Sequence, residues 1–104
     1  MEAPAKTPKP PYYAVIFTSI RADDDPAYGD TAKRMVALAS QQPGFLGFET
    51  ARQEIGISVS YWTSLEAIQA WKEHLEHRAA QKRAKEWYRN FRVRVCRVEK
   101  EYGF

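Results

Sequence analysis

The sequence predicts an α+β fold: a four-stranded antiparallel sheet with two helices on one face, in the order βαββαβ, the ferredoxin-like arrangement. Three features predict it. Four runs rich in β-branched and aromatic residues, at 12–21, 45–53, 55–62 and 91–98, alternate with two stretches of helical periodicity, at 26–40 and 63–87. The break between the second and third runs is only Gln53–Glu54, short enough for a hairpin. Finally, the strands carry apolar groups on both faces, whereas helices on one side cover only one. A second copy around a two-fold axis is the economical cover for the other, so a homodimer is expected.

In chain order, residues 1–11 hold four of the six prolines and two lysines, and are expected to be a solvated, disordered tail ahead of one domain at 12–104. The first strand places Tyr13, Val15 and Phe17 against Ala14, Ile16 and Ile20, apolar on both sides as a central strand should be. Asp24 or Asp25 is the expected cap of a helix opening at Pro26, with a start near Asp30 as the alternative. Pro43–Gly44 reads as a turn. The third strand alternates Ile55, Ile57, Val59 and Tyr61 with Gly56, Ser58, Ser60 and Trp62, one oily face against one of small residues that ends in a tryptophan. Thr63 with Glu66 has the capping-box spacing and is the preferred start of the long helix. On that helix Leu65, Ile68, Trp71, Leu75 and Ala79 form a core seam. In the last strand Phe91, Val93 and Val95 alternate with Arg92 and Arg94, and the apolar side then changes at Cys96 and Val98. A strand exposed early and covered late fits one that leaves its own sheet to meet another subunit.

Composition excludes several classes. Aromatic residues number three Trp, six Tyr and five Phe, more than a thin 104-residue core needs, so an interface or pocket is expected to take some. The net charge of +3, from 16 basic and 13 acidic residues, is too mild to imply nucleic acid, and no binding motif is present. The single Cys96 has no partner for an intramolecular disulfide and no CxxC spacing. The aspartates at 23–25 lack the spacing and the downstream glutamate of a calcium loop, so no metal is expected. There is no apolar leader and no run long enough to span a membrane; a reducing cytoplasm is the expected setting. Arg92, Arg94, Arg97 and Lys100 make a basic strand, read as a deterrent to edge-to-edge aggregation.

Beside the core seam runs a second line, His74, His77, Gln81 and Tyr88, roughly 100–120° around the helix axis at ~100° per residue. It is the one place where several chemically competent side chains could converge.

Residues 12–19 (YYAVIFTS), 42–49 (QPGFLGFE), 58–77 (SVSYWTSLEAIQAWKEHLEH) and 98–104 (VEKEYGF) resemble the antibiotic-biosynthesis-monooxygenase-like domains of the dimeric α+β barrel superfamily. The resemblance covers nearly everything after the tail. It implies two four-stranded sheets paired as a dimeric barrel, with a pocket between sheet and helices. Activities in that superfamily include cofactor-free oxidation of quinol-like aromatics by O2, haem degradation and isomerisation of small phosphorylated products. The haem-degrading relatives use a strand-one asparagine, a helix tryptophan and an iron-binding histidine ten residues later. Here Trp71 matches the tryptophan, but Gln81 stands in the histidine's place and the first strand offers Phe17 and Thr18, so haem and other cofactors are not expected.

Within that frame His77 is the first choice of base, taking a proton from a phenolic or enolic substrate; the alternative is a packing histidine at the dimer edge. Trp62, Trp71 and Phe17 are the expected walls for an apolar or aromatic ligand. Gln81, His74, Tyr61 and Tyr13 are the expected polar contacts, each also readable as an ordinary helix or strand residue. The expected reaction is cofactor-independent monooxygenation of an aromatic or quinol-type molecule. A non-catalytic ligand-binding dimer and an isomerase acting on a phosphorylated metabolite are the alternatives.

Overall fold

The computed structural model describes residues 3–22, 26–77 and 84–104. Its order is β1 (Tyr12–Arg21), α1 (Ala27–Ser40), β2 (Phe45–Arg52), β3 (Gly56–Trp62), α2 (Leu65–His77), α3 (Ala84–Trp87) and β4 (Tyr88–Val98). The strands form one antiparallel sheet, ordered β2-β3-β1-β4, which is the expected ferredoxin-like arrangement.

Register divides the sheet into two surfaces, because residues paired across neighbouring strands share a face. Tyr13 pairs with Trp62, Val15 with Ser60 and Phe17 with Ser58, while Val15 and Phe17 also pair with Val95 and Val93. Trp62 stacks on Trp71 of α2, so this set is the helix side. Tyr12, Ala14, Ile16, Thr18, Val59 and Tyr61 lie on the other side, which carries no helix among the described residues. Trp62 is fully buried and Ala39 of α1 is 6% exposed, which puts the core between the helix layer and β3.

Two local features differ from the sequence reading. The α2 cap is Ser64, not Thr63: Ser64 Oγ accepts from the Ala67 N–H at 3.1 Å. Thr63 is held elsewhere, its N–H donating to the Gly44 carbonyl at 2.8 Å. Gly44 sits at φ 88°, and a Cβ there would come within 2.6 Å of Ala67 Cβ, so turn and helix close on each other only through glycine. Second, Tyr88 is not a helix residue; it opens β4, paired with Arg21 at a bulge between Ile20 and Arg21. The start of α1, after Pro26, leaves the cap reading open, because Asp24 and Asp25, the expected caps, lie outside the described residues.

The N-terminal segment, expected to be solvated, lies across the helix-free side. Ala5 and Thr7 are partly covered while Lys6 and Pro8 are exposed, the alternation of an extended strand. The Ala5 N–H donates to Glu49 Oε2 at 2.9 Å, and Thr7 Oγ1 donates within hydrogen-bonding distance of both Tyr12 Oη (2.9 Å) and Glu101 Oε2 (2.8 Å). Its polar neighbours Glu49, Tyr12 and Glu101 come from β2, β1 and the segment after β4, a set assembled only by the fold.

Candidate functional site

On the helix side, alternation in β3 sends Ser58, Ser60 and Trp62 toward α2. Trp62 Nε1 donates to Ser60 Oγ at 2.9 Å, which satisfies the buried indole and fixes its plane. Phe45 meets that plane edge-on at 5.4 Å. Trp71 lies on it at 6.2 Å and 27°, and His74 lies on Trp71 at 5.6 Å and 19°. Helical spacing of three residues puts Trp71 and His74 on one side of α2. The His74 Nε2 is shielded from solvent and makes no hydrogen bond among the described residues. A buried ring nitrogen without a partner costs roughly 1–3 kcal/mol unless a ligand or water completes it.

The other end of the same face is a second aromatic group. Phe17 contacts Tyr88 at 5.2 Å and Phe91 at 5.6 Å, and the Tyr88 hydroxyl donates to Tyr28 Oη at 2.7 Å. Arg21 lies over the Tyr28 ring at 4.1 Å, and Arg52 reaches in to donate to the buried Ser19 hydroxyl. Burial, followed by the bond to Tyr28, pushes the Tyr88 phenol well above its ordinary value of 10.0 despite the two arginines. Between the two groups the floor is Val15, Ser58 and Ser60. Toward β4 it is open, with Phe91, Val93 and Val95 46, 49 and 50% exposed. Four residue steps along β1 lead from Tyr13 to Phe17, so the strip is ~13 Å long, the size of a fused-ring aromatic.

The sequence-predicted residues therefore fall into three sets. Trp62, Trp71 and His74 form one stack, with Tyr13 paired beside Trp62 in the sheet. Phe17 shares their face but belongs to the far aromatic group. Tyr61 is on the opposite face, its hydroxyl bonded to Glu49 Oε1 and its ring edge-on to Tyr12 at 5.9 Å. His77 is the last residue of α2, and its side chain is outside what the structure describes; Gln81 lies outside the described residues altogether. Sequence reasoning missed Tyr28, Arg52 and the placement of Tyr88. Only the odd-numbered run Phe91, Val93, Val95 hinted that the strand extends back past Asn90.

Two open clefts lie away from the stack. One, of about 320 Å³, is at the start of α2 beside Gly44, Thr63 and Ala67. The other, of about 340 Å³, lies at the sheet edge and is lined from both sides, by Thr18, Arg92 and Arg94 and also by Ser19 and Phe91. Arg92 and Arg94 pair with Thr18 and Ile16, on the side away from the helices. Among the described residues no group of three or more His, Cys, Asp or Glu could hold a metal, and no helix is long and apolar enough to cross a membrane.

A model of the antibiotic biosynthesis monooxygenase family matches residues 11–83, the span from β1 through α2. The chain belongs to that family. A family relative from Bacillus subtilis (strain 168), the uncharacterised protein YqjZ, is 50% identical over 107 residues, spanning 100% of this chain and 94% of its own. Among solved structures, the cofactor-independent oxygenase SnoaB from Streptomyces nogalater superposes with a TM-score of 0.76 at 10% identity, covering 88% of this chain and 97% of that one. A dimeric ferredoxin-like protein from an uncultured marine organism gives a TM-score of 0.71 at 10% identity, covering 91% and 94%. At such identities the likeness establishes the fold of this family member, and nothing further.

Proposed function

We propose that this family member is a homodimeric, cofactor-independent oxygenase acting on an aromatic or quinol-type small molecule. The observation that supports it is the Trp62–Trp71–His74 stack, which ends in a shielded imidazole nitrogen with no hydrogen-bond partner among the described residues. In the proposed reaction an α2 histidine takes the proton from a phenolic tautomer whose ring carries a reactive methylene. The resulting anion passes one electron to O2; the radical pair recombines with a C–O bond, and loss of water leaves a carbonyl. One oxygen atom enters the product and the other leaves as water, so the methylene supplies all four electrons. His74 and His77 are one turn of helix apart, and either imidazole serves this step in the proposal. The apolar strip of Val15, Phe17 and the β4 valines would hold the rings, and Gln81 would bond a substrate oxygen.

The test is steady-state oxidation of a hydroxylated anthracenone-type probe. Removing O2 is expected to abolish product, and added flavin or divalent metal to change nothing. His74→Gln and His77→Gln are compared for kcat against probe affinity; loss of the base should lower kcat by ~10²-fold or more with affinity retained. Turnover that persists without O2 sinks the proposal.

One observation favours a second reading, a non-catalytic binding dimer: Trp62 is fully buried, and the two clefts described above are not lined by the stack residues. Probe affinity without turnover in the wild-type chain selects it. The isomerase reading requires a free basic pocket beside the aromatic floor; Arg92 and Arg94 pair with residues of the opposite side, and Arg21 and Arg52, which flank the far aromatic group, are engaged with the Tyr28 ring and the Ser19 hydroxyl.

A further inference from the structure

We infer that residues 3–9 are an autoinhibitory strap, which occupies the sheet face a second copy would cover and so competes with dimerisation. The inference rests on the proposed homodimer. The strap begins at the β2 edge, where the Ala5 N–H is bonded to Glu49, and ends over β1, where Thr7 is bonded to Tyr12 and Glu101. Its docking is shaped rather than incidental. A Cβ on Gly47 would stand 2.9 Å from Ala5 Cβ but 3.9 Å from Tyr61, so the missing side chain makes a notch that only the strap fills. Each carboxylate it uses is also tied to the sheet: Glu49 accepts from Tyr61, and Glu101 accepts from Tyr12 at 2.9 Å.

Beneath the strap Tyr12 is 4% exposed, while farther along the same face Ile57 is 46% exposed. The strap thus covers the tyrosine end and leaves the isoleucine end bare. Two sheets packed face to face stand ~10 Å apart with their inner side chains interdigitated. That spacing has no room for a peptide layer, so a partner sheet reaches the Tyr12–Tyr61 end only once the strap has lifted.

Sedimentation equilibrium across a concentration series tests this on the full chain, on a chain lacking residues 2–9, and on Gly47→Val, which keeps the strap but fills its notch. Both changes are expected to tighten dimerisation about tenfold, the scale of one or two lost hydrogen bonds. Gly47→Val decides the matter if the shortened chain does not fold. An unchanged or weaker dimer, or a monomer in every case, overturns the inference. Because no turnover is measured, the outcome is independent of the oxygenase reading.

Discussion

His74 and three tyrosines show what context does to single side chains. Tyr12, Tyr61 and Tyr88 all have phenol pKa values raised above the ordinary 10.0, with burial the largest cause in each. Tyr61 is raised further by its bond to Glu49 and Tyr88 by its bond to Tyr28. A raised folded-state value means that the folded chain holds the phenolic proton more tightly than the unfolded chain. The associated stability is therefore complete below pH 10.0 and is lost as pH climbs through the raised values. A titration of the near-ultraviolet phenolate band, compared with the single variants Tyr12→Phe, Tyr61→Phe and Tyr88→Phe, should show each of these three phenols ionising above pH 10.0, alongside a fall in urea midpoint that begins near pH 10.0. A variant that loses phenolate signal below pH 10.0 would contradict it. None of this was legible in the sequence, where Tyr61 and Tyr13 looked like equivalent strand residues; the carboxylate that singles out Tyr61 is twelve positions away.

Elements were far more legible than partners. Period-two alternation located β3 and its small-residue face, and the Trp71 seam located α2, because burial imposes those periods directly on composition. The misses came where two local solutions compete. Thr63 and Ser64 both have cap chemistry, and the Gly44 carbonyl decides between them by taking the Thr63 N–H. Ser64→Ala is expected to cost about 1 kcal/mol in urea unfolding, and Thr63→Ala clearly less; equal losses would return Thr63 to the cap. Tyr88, just past the expected helix end at 87, continues the helical line from His74 in sequence, yet its pairing with Arg21 makes it strand. Of the candidate site, Trp71 and His74, read from the sequence as parts of two separate helix lines, meet with Trp62 in one stack that no spacing announced. The far group around Tyr28 depends on contacts sixty residues apart, for which a single sequence carries no signal.

At the scale of the molecule, one face carries the helices and stays open toward β4, and the other carries a strap and open sheet. The proposed homodimer gives that open sheet its cover. Val59→Asp, on the helix-free side opposite Ile16, should weaken dimerisation by ~100-fold or more by burying an unpaired charge, while the near-ultraviolet circular dichroism of the Trp62–Trp71 stack stays as it is. A dimer unmoved by this substitution would mean that association uses another surface. Family membership was readable from motifs because strand one, the Pro43–Gly44 turn and α2 carry the fold. Substrate was not, because the floor that would select it is assembled from β1, β3 and β4.

β3 has a consequence of its own. Its even-numbered residues, Ser58, Ser60 and Trp62, look toward the helices, and its odd-numbered residues, Ile57, Val59 and Tyr61, look away. Adjacent codons thus govern separate properties, so the aromatic floor can be remodelled with the contact surface untouched, and the reverse. A single-residue insertion before Ile57 would exchange the two roles at a stroke. Point substitution lets such a chain diversify one side at a time, whereas a one-residue insertion or deletion scrambles both.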